Sequence, residues 1–361
     1  MHRIDASRMQ RRRAGQAARA CTMPPNLAAI PAATLRAAFA ASLTAAGTLL
    51  ATALPSTAIA QVAFPERPLR LIVHVPPGGA LDFTARVVGQ KLTESLGQQV
   101  LVENRPGAGG IAASELVSKA TPDGHTLLLS SSTSHGVAPV LYRKLPYDAF
   151  RDFTHISLVA VLPALMAINA DLPAKSVKEF IALAKARPGG FLFASAGNGS
   201  GPQLMGEQFK LATGAPMTHV PYKGAAAAVT DIASGQVHVM FDSLPSLISQ
   251  VKAGRLRVIA ALSEKRAALF PDVQTMTEAG YSSVEGSIWT GLSGPAGIPV
   301  AVVDRLANES ARIVAMPDVQ ERFAGVGGTA TFLGPAAYVD FIRRENRKWA
   351  EVIKASGAVP D

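Results

Sequence analysis

Short apolar runs alternate with segments of helical periodicity along the chain from about residue 62 onward. The clearest case is the run 69–75, which ends at Pro76-Pro77-Gly78-Gly79 and is followed by Phe83, Val87 and Leu92 at the spacing of one helix face. This pattern predicts a β-strand, a glycine turn and an amphipathic helix. Because the same rhythm continues, we expect an α/β fold.

The same criteria predict elements to the end of the chain. Predicted strands lie at 99–103, 126–129, 156–168, 191–195, 236–242 and 257–262, and predicted helices lie at 111–120, 137–142, 225–234 and 299–316, after the capping box 176–179 and from 335 onward. The run 156–168, interrupted by Pro163, and the segment 287–295 are predicted to cross between two lobes. The first lobe then comprises residues 62–164 plus 286–361, and the second comprises residues 165–285.

Three of the predicted turns have the composition of an anion site, because glycine or hydroxyl residues separate a strand end from a helix. The first N–H groups of a helix have no partner inside it and carry the positive end of its dipole, so a carboxylate can bind there. The candidate ligand-binding residues are Pro77, Gly78, Gly79 and Asp82 at the first turn, Ser131, Ser132 and Thr133 at the second, Ala196, Gly197 and Ser200 at the third, and Tyr222, Lys223 and Asp242 further along. The alternative is that the glycines serve only chain reversal and the hydroxyls are solvated caps.

The charged candidates have different expected roles. Asp82 lies in a first helical turn, where its carboxylate is expected either to cap free N–H groups or to contact the ligand. Asp242 ends a strand and is expected to face the cleft and accept a hydrogen bond from a ligand amino or hydroxyl group, with ordinary capping as the alternative. No arginine lies in the three turns, and Lys223 is the one nearby cation. We therefore expect main-chain amides, not a salt bridge, to hold a ligand carboxylate.

The net charge of +9 is unevenly distributed along the chain. Residues 1–60 contain seven Lys and Arg residues and one Asp, a charge of +6, and the remaining 28 basic and 25 acidic residues leave +3. The main part of the chain is too weakly basic to indicate a nucleic-acid partner. The whole chain, with 361 residues and 48% hydrophobic composition, is long enough for two lobes with a large core.

The positive charge at the start of the chain indicates an export signal. Arginines precede an uncharged run from Ala37 to Leu54, and Ala58-Ile59-Ala60 has the form of a cleavage site. We expect residues 1–60 to be a signal peptide that is removed after Ala60, with translation starting at Met1 or Met23. A permanent membrane anchor is the alternative, but the apolar run is rich in Ala and Thr and short for a membrane span.

The residues that most enzymes require form no recognisable motif in this sequence. The one cysteine, Cys21, would leave with the signal peptide, which removes thiolate nucleophiles and thiolate metal ligands. The histidines have no spacing typical of a metal site, so we expect no metal, and no motif indicates a cofactor. Ser131, His135 and Asp242 are a set that the fold could assemble into a Ser-His-Asp triad. We nevertheless expect a binding protein, not an enzyme.

Eight short motifs, in this order, resemble the periplasmic solute receptors of tripartite tricarboxylate transporters, often called Bug-type receptors. They are Pro77-Gly78-Gly79-x-x-Asp82-x-x-Ala85-Arg86, Glu103-Asn104-Arg105-Pro106-Gly107-Ala108-Gly109-Gly110, Pro122-Asp123-Gly124-His125-Thr126, Lys144-Leu145-Pro146-Tyr147, Pro221-Tyr222-Lys223-Gly224, Gly235-Gln236-Val237, Met240-Phe241-Asp242 and Gly294-Pro295-Ala296-Gly297. The resemblance implies a two-lobed, type II periplasmic binding protein (Venus-flytrap) fold of α/β class with two crossovers. It also implies a carboxylate-bearing solute, held in the cleft by main-chain amides and ordered water more than by arginine, and delivery to a membrane permease.

The resemblance leaves the ligand and the partner open. The family usually carries Thr or another small polar residue where this chain has Leu81, and commonly Asn where it has Ala138. We therefore expect a ligand less polar than a tricarboxylate, such as an aromatic or short aliphatic acid. The partner is expected to be the permease of the transporter or, alternatively, a sensor kinase that uses this protein as its ligand-sensing subunit, and a secreted hydrolase is a third alternative. We expect a monomer in the periplasm.

Overall fold

The computed structural model describes residues 64–358, which contain ten strands and ten α-helices. The strands are β1 (Leu69–Val73), β2 (Val100–Asn104), β3 (Thr126–Ser131), β4 (Phe153–Asn169), β5 (Phe191–Ser195), β6 (Met217–Pro221), β7 (Val239–Ser243), β8 (Leu256–Ala261), β9 (Ser287–Pro295) and β10 (Thr329–Leu333). The helices are α1 (Ala80–Leu96), α2 (Ile111–Ser118), α3 (Ala138–Leu141), α4 (Val177–Ala186), α5 (Gly201–Thr213), α6 (Ala225–Ala233), α7 (Leu244–Lys252), α8 (Val300–Val314), α9 (Pro317–Ala324) and α10 (Pro335–Ser356). The expected signal peptide and its cleavage site after Ala60 lie outside the described residues. The α/β class predicted from the sequence is confirmed.

Four of these elements were not predicted from the sequence, namely β6, β10, α7 and α9. Most residues of these two strands are half-buried or exposed, so neither strand shows a continuous apolar run. Helix α7 follows β7 without a loop, so no separate turn marks its start, although the N-cap Ser243 and the proline in the first turn were usable signals. Local pattern therefore defined the strands with a buried apolar run better than the half-exposed strands.

All ten strands belong to one continuous sheet. Its path runs β2-β1-β3-β9-β4-β7-β5-β6, and β8 and β10 also pair with β4. Strands β1, β2 and β3 are mutually parallel, as are β5, β6 and β7, whereas β9 runs antiparallel to both β3 and β4. The polar candidates predicted from the sequence lie at the ends of β1, β5 and β7 and in the turns that follow these strands.

Strand β4 is the central crossing of the sheet. Residues Phe153–Pro163 pair with β9, and residues Ala164–Ile168 pair with β7. The change of partner occurs at Pro163, which has no N–H to donate and so suits a break in the ladder. Ala164 N donates instead to Gly286 O at 3.0 Å. The sequence predicted an interruption at Pro163, but the strand is continuous there and only its partner changes. The lobe boundaries at 164/165 and 285/286 stay a prediction.

A buried polar network joins β3, β4 and β9 to α10. Tyr338 Oη lies 2.9 Å from Ser130 Oγ, which donates to Gly291 O at 3.0 Å. Ser293 Oγ lies 2.8 Å from the same serine and 3.0 Å from Nδ1 of His155. Because each buried polar atom here has a partner, the network fixes the position of the C-terminal helix on the sheet.

Within residues 64–358, no helix combines the length and the apolar character needed to cross a membrane.

Candidate functional site

A cavity of about 60 Å³ lies where the ends of several strands meet. Its walls come from the β1–α1 turn, from the start of α6, from the β7–α7 junction and from Ile288 of β9, with Thr133, Ala196 and Pro202 between them. Five of the residues predicted from the sequence line it, namely Pro77, Gly79, Thr133, Ala196 and Asp242. The fold thus brings residues separated by more than a hundred positions to one small space.

The start of helix α1 forms one wall of the cavity. Its N-cap, Gly79, has an extended backbone, and no side chain caps the helix. The N–H groups of its first turn have no acceptor inside the helix. Ala80 and Leu81 of this turn line the cavity, so these donors and the positive end of the dipole lie beside it. Gly78 has φ +98° and its N–H donates to Asp82, so it supports the turn and is not part of the wall.

The start of helix α6 forms a second wall, which sequence reasoning missed. Its N-cap is Gly224, again without a side-chain cap, and Ala225 and Ala226 line the cavity. A Cβ atom at Gly224 would lie 3.1 Å from the ring of Pro76, so the two turns pack closely. The glycine that ends the Pro221–Gly224 motif was the available signal, because glycine is an accepted N-cap before a helix. Two uncapped helix N-termini therefore adjoin one cavity.

The serine-rich turn contributes less than its composition suggested. Ser131 Oγ accepts from the N–H groups of Thr133 and Ser134 at 3.2 and 3.3 Å, which caps its own short helical turn. Thr133 lines the cavity, and its Oγ1 accepts from Gly201 N at 3.4 Å. Ser132 is buried, and its hydroxyl has no partner in the described part of the chain.

The third predicted turn uses its own N–H groups. Gly197 N donates to Ser195 Oγ at 3.1 Å, and Gly199 N donates to Gln203 Oε1 at 2.7 Å. Ser200 Oγ accepts from Gln203 N and so caps α5. The turn was predicted to offer free amides, but these donors already have acceptors, and only Ala196 of this turn lies on the cavity wall.

Three other candidates lie away from the wall. Asp82 accepts hydrogen bonds from Gly78, Arg86 and Asn104, and although burial raises its pKa, these bonds outweigh it and lower the net value. Tyr222 Oη donates to Asp231 at 2.7 Å, and burial together with this bond raises its pKa to about 12. Lys223 is exposed. Asp82 thus bonds to Gly78, which precedes the helix, and not to the N–H groups of the first turn of α1.

Among the described residues, Asp242 is the one acidic residue on the cavity wall. Its side chain is buried, with 4% of the residue exposed, and burial raises its pKa to about 6. Oδ1 accepts three hydrogen bonds: from Ser243 N at 2.7 Å, from Ser243 Oγ at 3.3 Å and from Ser246 Oγ at 3.3 Å. Oδ2 accepts none from residues 64–358. One carboxyl oxygen is thus held, while the other has no hydrogen-bond partner among the described residues.

His74 lines the cavity as a neutral side chain. Burial lowers its pKa to about 4, and Nε2 lies 2.6 Å from Ser131 Oγ. Since that hydroxyl already accepts from two N–H groups, its proton is free to donate to Nε2. Sequence reasoning treated His74 as an isolated histidine and missed it, although its place directly after β1 was a usable signal. No lysine or arginine of the described range lines the cavity.

The triad considered from the sequence does not assemble. Ser131 is bonded to His74, His135 Nδ1 lies 3.0 Å from Ser134 Oγ, and Asp242 is held by Ser243 and Ser246. Each member has a different partner, so no hydrogen-bonded Ser-His-Asp chain exists here. In residues 64–358, no three His, Cys, Asp or Glu side chains are arranged to hold a metal ion.

The buried histidines are expected to make the folded state less stable in acid. Burial lowers the pKa of His74 and of His155 from 6.5 to about 4, and that of His135 well below 6.5. Each takes up its proton on unfolding, so the stability they contribute is full above pH 6.5 and is lost as the pH falls toward 4. Asp242, whose pKa is raised from 3.8 to about 6, has the opposite effect. The stability that it contributes is full below pH 3.8 and is lost as the pH rises through 6.

Because the contributions of the buried histidines outweigh that of Asp242, we expect the free energy of unfolding to fall by about 3 kcal/mol or more between pH 7 and pH 4.5. Denaturant titrations at the two pH values measure it. In the variant His74→Gln, about one proton fewer should be taken up on unfolding, so its free energy of unfolding should depend less steeply on pH. Equal or higher stability at the lower pH would contradict the assignment.

Comparison with known proteins gives the family of this chain. Residues 84–358 match the family model described as tripartite tricarboxylate transporter family receptor. The chain is 37% identical to the protein BugT of Bordetella pertussis over 316 residues, which are 86% of this chain and 96% of that protein.

Two solved structures agree with this match. The periplasmic binding protein BugD has a TM-score of 0.78 and 33% identity, and the match covers 82% of this chain and 99% of that one. Rpa4515 of R. palustris, solved with adipate, has a TM-score of 0.80 and 30% identity, and the match covers 82% of this chain and 100% of that one. The chain therefore belongs to the tripartite tricarboxylate transporter receptor family and has the α/β fold of its periplasmic binding proteins.

Proposed function

We propose that this protein is an exported solute receptor that binds a small carboxylic acid in the cavity and delivers it, unchanged, to the permease of a tripartite tricarboxylate-type transporter. The observation that carries the proposal is the convergence of two uncapped helix N-termini, those of α1 and α6, on one buried cavity. Removal of residues 1–60 as a signal peptide and a monomeric receptor are part of the proposal.

The chemistry of the two helix starts suits a carboxylate. Backbone N–H groups at a helix start donate to an anion, and the dipole adds about 0.3–1 kcal/mol, or up to ~2 kcal/mol in a partly buried site. Hydrogen bonds to a charged group contribute about 1.5–3 kcal/mol each. The dicarboxylate adipate bound to the relative Rpa4515 supports the same ligand class for this chain.

The remaining wall favours an apolar ligand body. Leu81 and Ile288 face the cavity together with Val75, Pro202 and small alanines. A tricarboxylate would leave charged groups against these side chains without partners, which is costly in a buried site. The ligand we propose is therefore an aliphatic or aromatic acid with one or two carboxylates.

A panel of acids tests the proposed function. We expect acetate, benzoate, hexanoate, adipate and citrate to give different thermal shifts, with an apolar acid giving the largest and citrate the smallest. A ligand at ~100 times its Kd adds about 2.7 kcal/mol of stability. Calorimetry should give one site per chain, and mass spectrometry should recover the acid unchanged.

Two outcomes would contradict the proposal. Turnover of the acid would indicate an enzyme. Absence of a thermal shift with every acid of the panel would contradict the proposal that the protein is a carboxylate receptor.

A further inference from the structure

The hydrogen bonds of Asp242 leave one of its two carboxyl oxygens free to carry a proton. In the neutral form one oxygen is a carbonyl that only accepts, and the other carries the proton and donates. Here Oδ1 accepts all three hydrogen bonds, from Ser243 and Ser246, while Oδ2 at the cavity has no partner in the described residues. A proton on Oδ2 would therefore point at a bound ligand.

The described part of the cavity wall supplies no cation that would keep Asp242 ionised beside an anionic ligand. Among the residues 64–358 that line the cavity, His74 is the only other titratable side chain, and it is neutral.

The charged groups on the neighbouring elements have other partners or lie at a distance. Asp82 and Arg86 on α1 bond to each other, as do Glu207 and Lys210 on α5, and Asp231 of α6 accepts from Tyr222. His219 on β6 is bonded to Ser195, Arg257 on β8 to backbone carbonyls, His155 of β4 to Ser293, and Lys252 lies in the last turn of α7. Strands β5, β7 and β9 carry no further charged residue.

We propose that Asp242 binds the ligand as a neutral acid, with its Oδ2–H donating to a ligand carboxylate oxygen, so that each binding event takes up one proton from solvent. The inference rests on the proposed function only for the carboxylate nature of the ligand. It replaces the acceptor role expected from the sequence, in which an ionised Asp242 would accept from a ligand amino or hydroxyl group.

The physical reason is that two adjoining carboxyl groups in a buried site do not both ionise. When two carboxylates share a site, the pKa of one is strongly raised. Burial already raises the pKa of Asp242 to about 6, although the hydrogen bonds from Ser243 and Ser246 act against it, and an anion beside the carboxyl group raises the pKa further. The single negative charge that remains is stabilised by the helix starts at Gly79 and Gly224. Sharing one proton thus removes the repulsion without any arginine or lysine.

Calorimetry on the full exported chain tests this role, using the acid that gives the largest response in the panel above. Titrations at pH values from about 6.5 to 8.5, in phosphate and in Tris, report the protons taken up through the different ionisation enthalpies of the buffers. We expect uptake of close to one proton at the upper end of the range and an affinity that falls about tenfold for each pH unit there. An uptake near zero would overturn the inference.

The variant Asp242→Asn separates the two roles. Its side-chain oxygen can accept from Ser243 and Ser246, which places the amide N–H where Oδ2 was. We expect Asp242→Asn to bind within about threefold of the wild type at pH 6.5, to bind more tightly than the wild type at pH 8.5, and to show no proton uptake. Asp242→Ala is the matched control that removes the donor and should bind at least tenfold more weakly than Asp242→Asn.

The opposite pattern overturns the inference. If Asp242 is an ionised acceptor, Asp242→Asn will weaken binding more than tenfold at every pH, and the wild type will show no uptake. If no acid of the panel binds at any pH, the proposed function itself fails, which is a different result from binding without proton uptake.

Discussion

Replacing Gly79 with valine should weaken carboxylate binding at least 100-fold, or about 3 kcal/mol. The backbone at Gly79 has φ −107° and ψ −176°, an extended conformation that valine readily adopts, so the fold should persist. A Cβ atom there would lie 3.7 Å from Ser246 Oγ, and the two methyl groups beyond it would occupy part of a cavity of only about 60 Å³. They would also cover the first N–H groups of α1. Calorimetry with the acid selected from the panel measures the loss.

Lys223→Met is the matched control for this variant. Lys223 is exposed and does not line the cavity, so its removal should weaken binding by no more than about tenfold. Gly79→Ala should fall between the two, because it adds one methyl group in ordinary contact with Ser246. Loss of binding in Lys223→Met, with binding retained in Gly79→Val, would show that a cation and not the helix start holds the carboxylate.

Replacing Gly291 with alanine should destabilise the protein by about 3 kcal/mol or more. A Cβ atom at this position of β9 would overlap the ring and hydroxyl of Tyr338 and lie 2.5 Å from the carbonyl oxygen of Ser157. The helix α10 would have to move away from the sheet, and the bond between Tyr338 and Ser130 would be lost. Overpacking and an unpaired buried hydroxyl act in the same direction. Denaturant titration at pH 7 measures the change.

Gly334→Ala is a suitable control for the same helix. Gly334 is the N-cap of α10, and a Cβ atom there would make only ordinary contacts, 3.7 Å from Phe332. We expect a change within about 1 kcal/mol. A double variant that adds Tyr338→Ala to Gly291→Ala should cost less than the sum of the single variants, because the overlap is shared. Strict additivity would show that Tyr338 is not the obstacle.

The sequence by itself determined the elements that depend on local pattern. The apolar run before Pro76, the glycines after it and the helical spacing beyond are all visible in one short stretch, and they define β1, α1 and the turn between them. The apolar residues of α10 likewise recur on one face of the helix, and Tyr338, Ile342 and Trp349 on that face are buried. Burial of one face follows from periodicity, so these features need no knowledge of distant residues.

Only the tertiary structure decided which groups at the strand ends are available to a ligand. The turn at Gly197–Ser200 looked from its composition like the turn at Gly79, yet Ser195 and Gln203 accept its N–H bonds, while the start of α1 has no cap. The start of α6 reaches the same cavity only because β5, β6 and β7 are adjacent in the sheet. A hydrogen bond depends on a partner's position to within about 0.5 Å, and that position is set by packing between segments far apart in the chain, which no local pattern encodes.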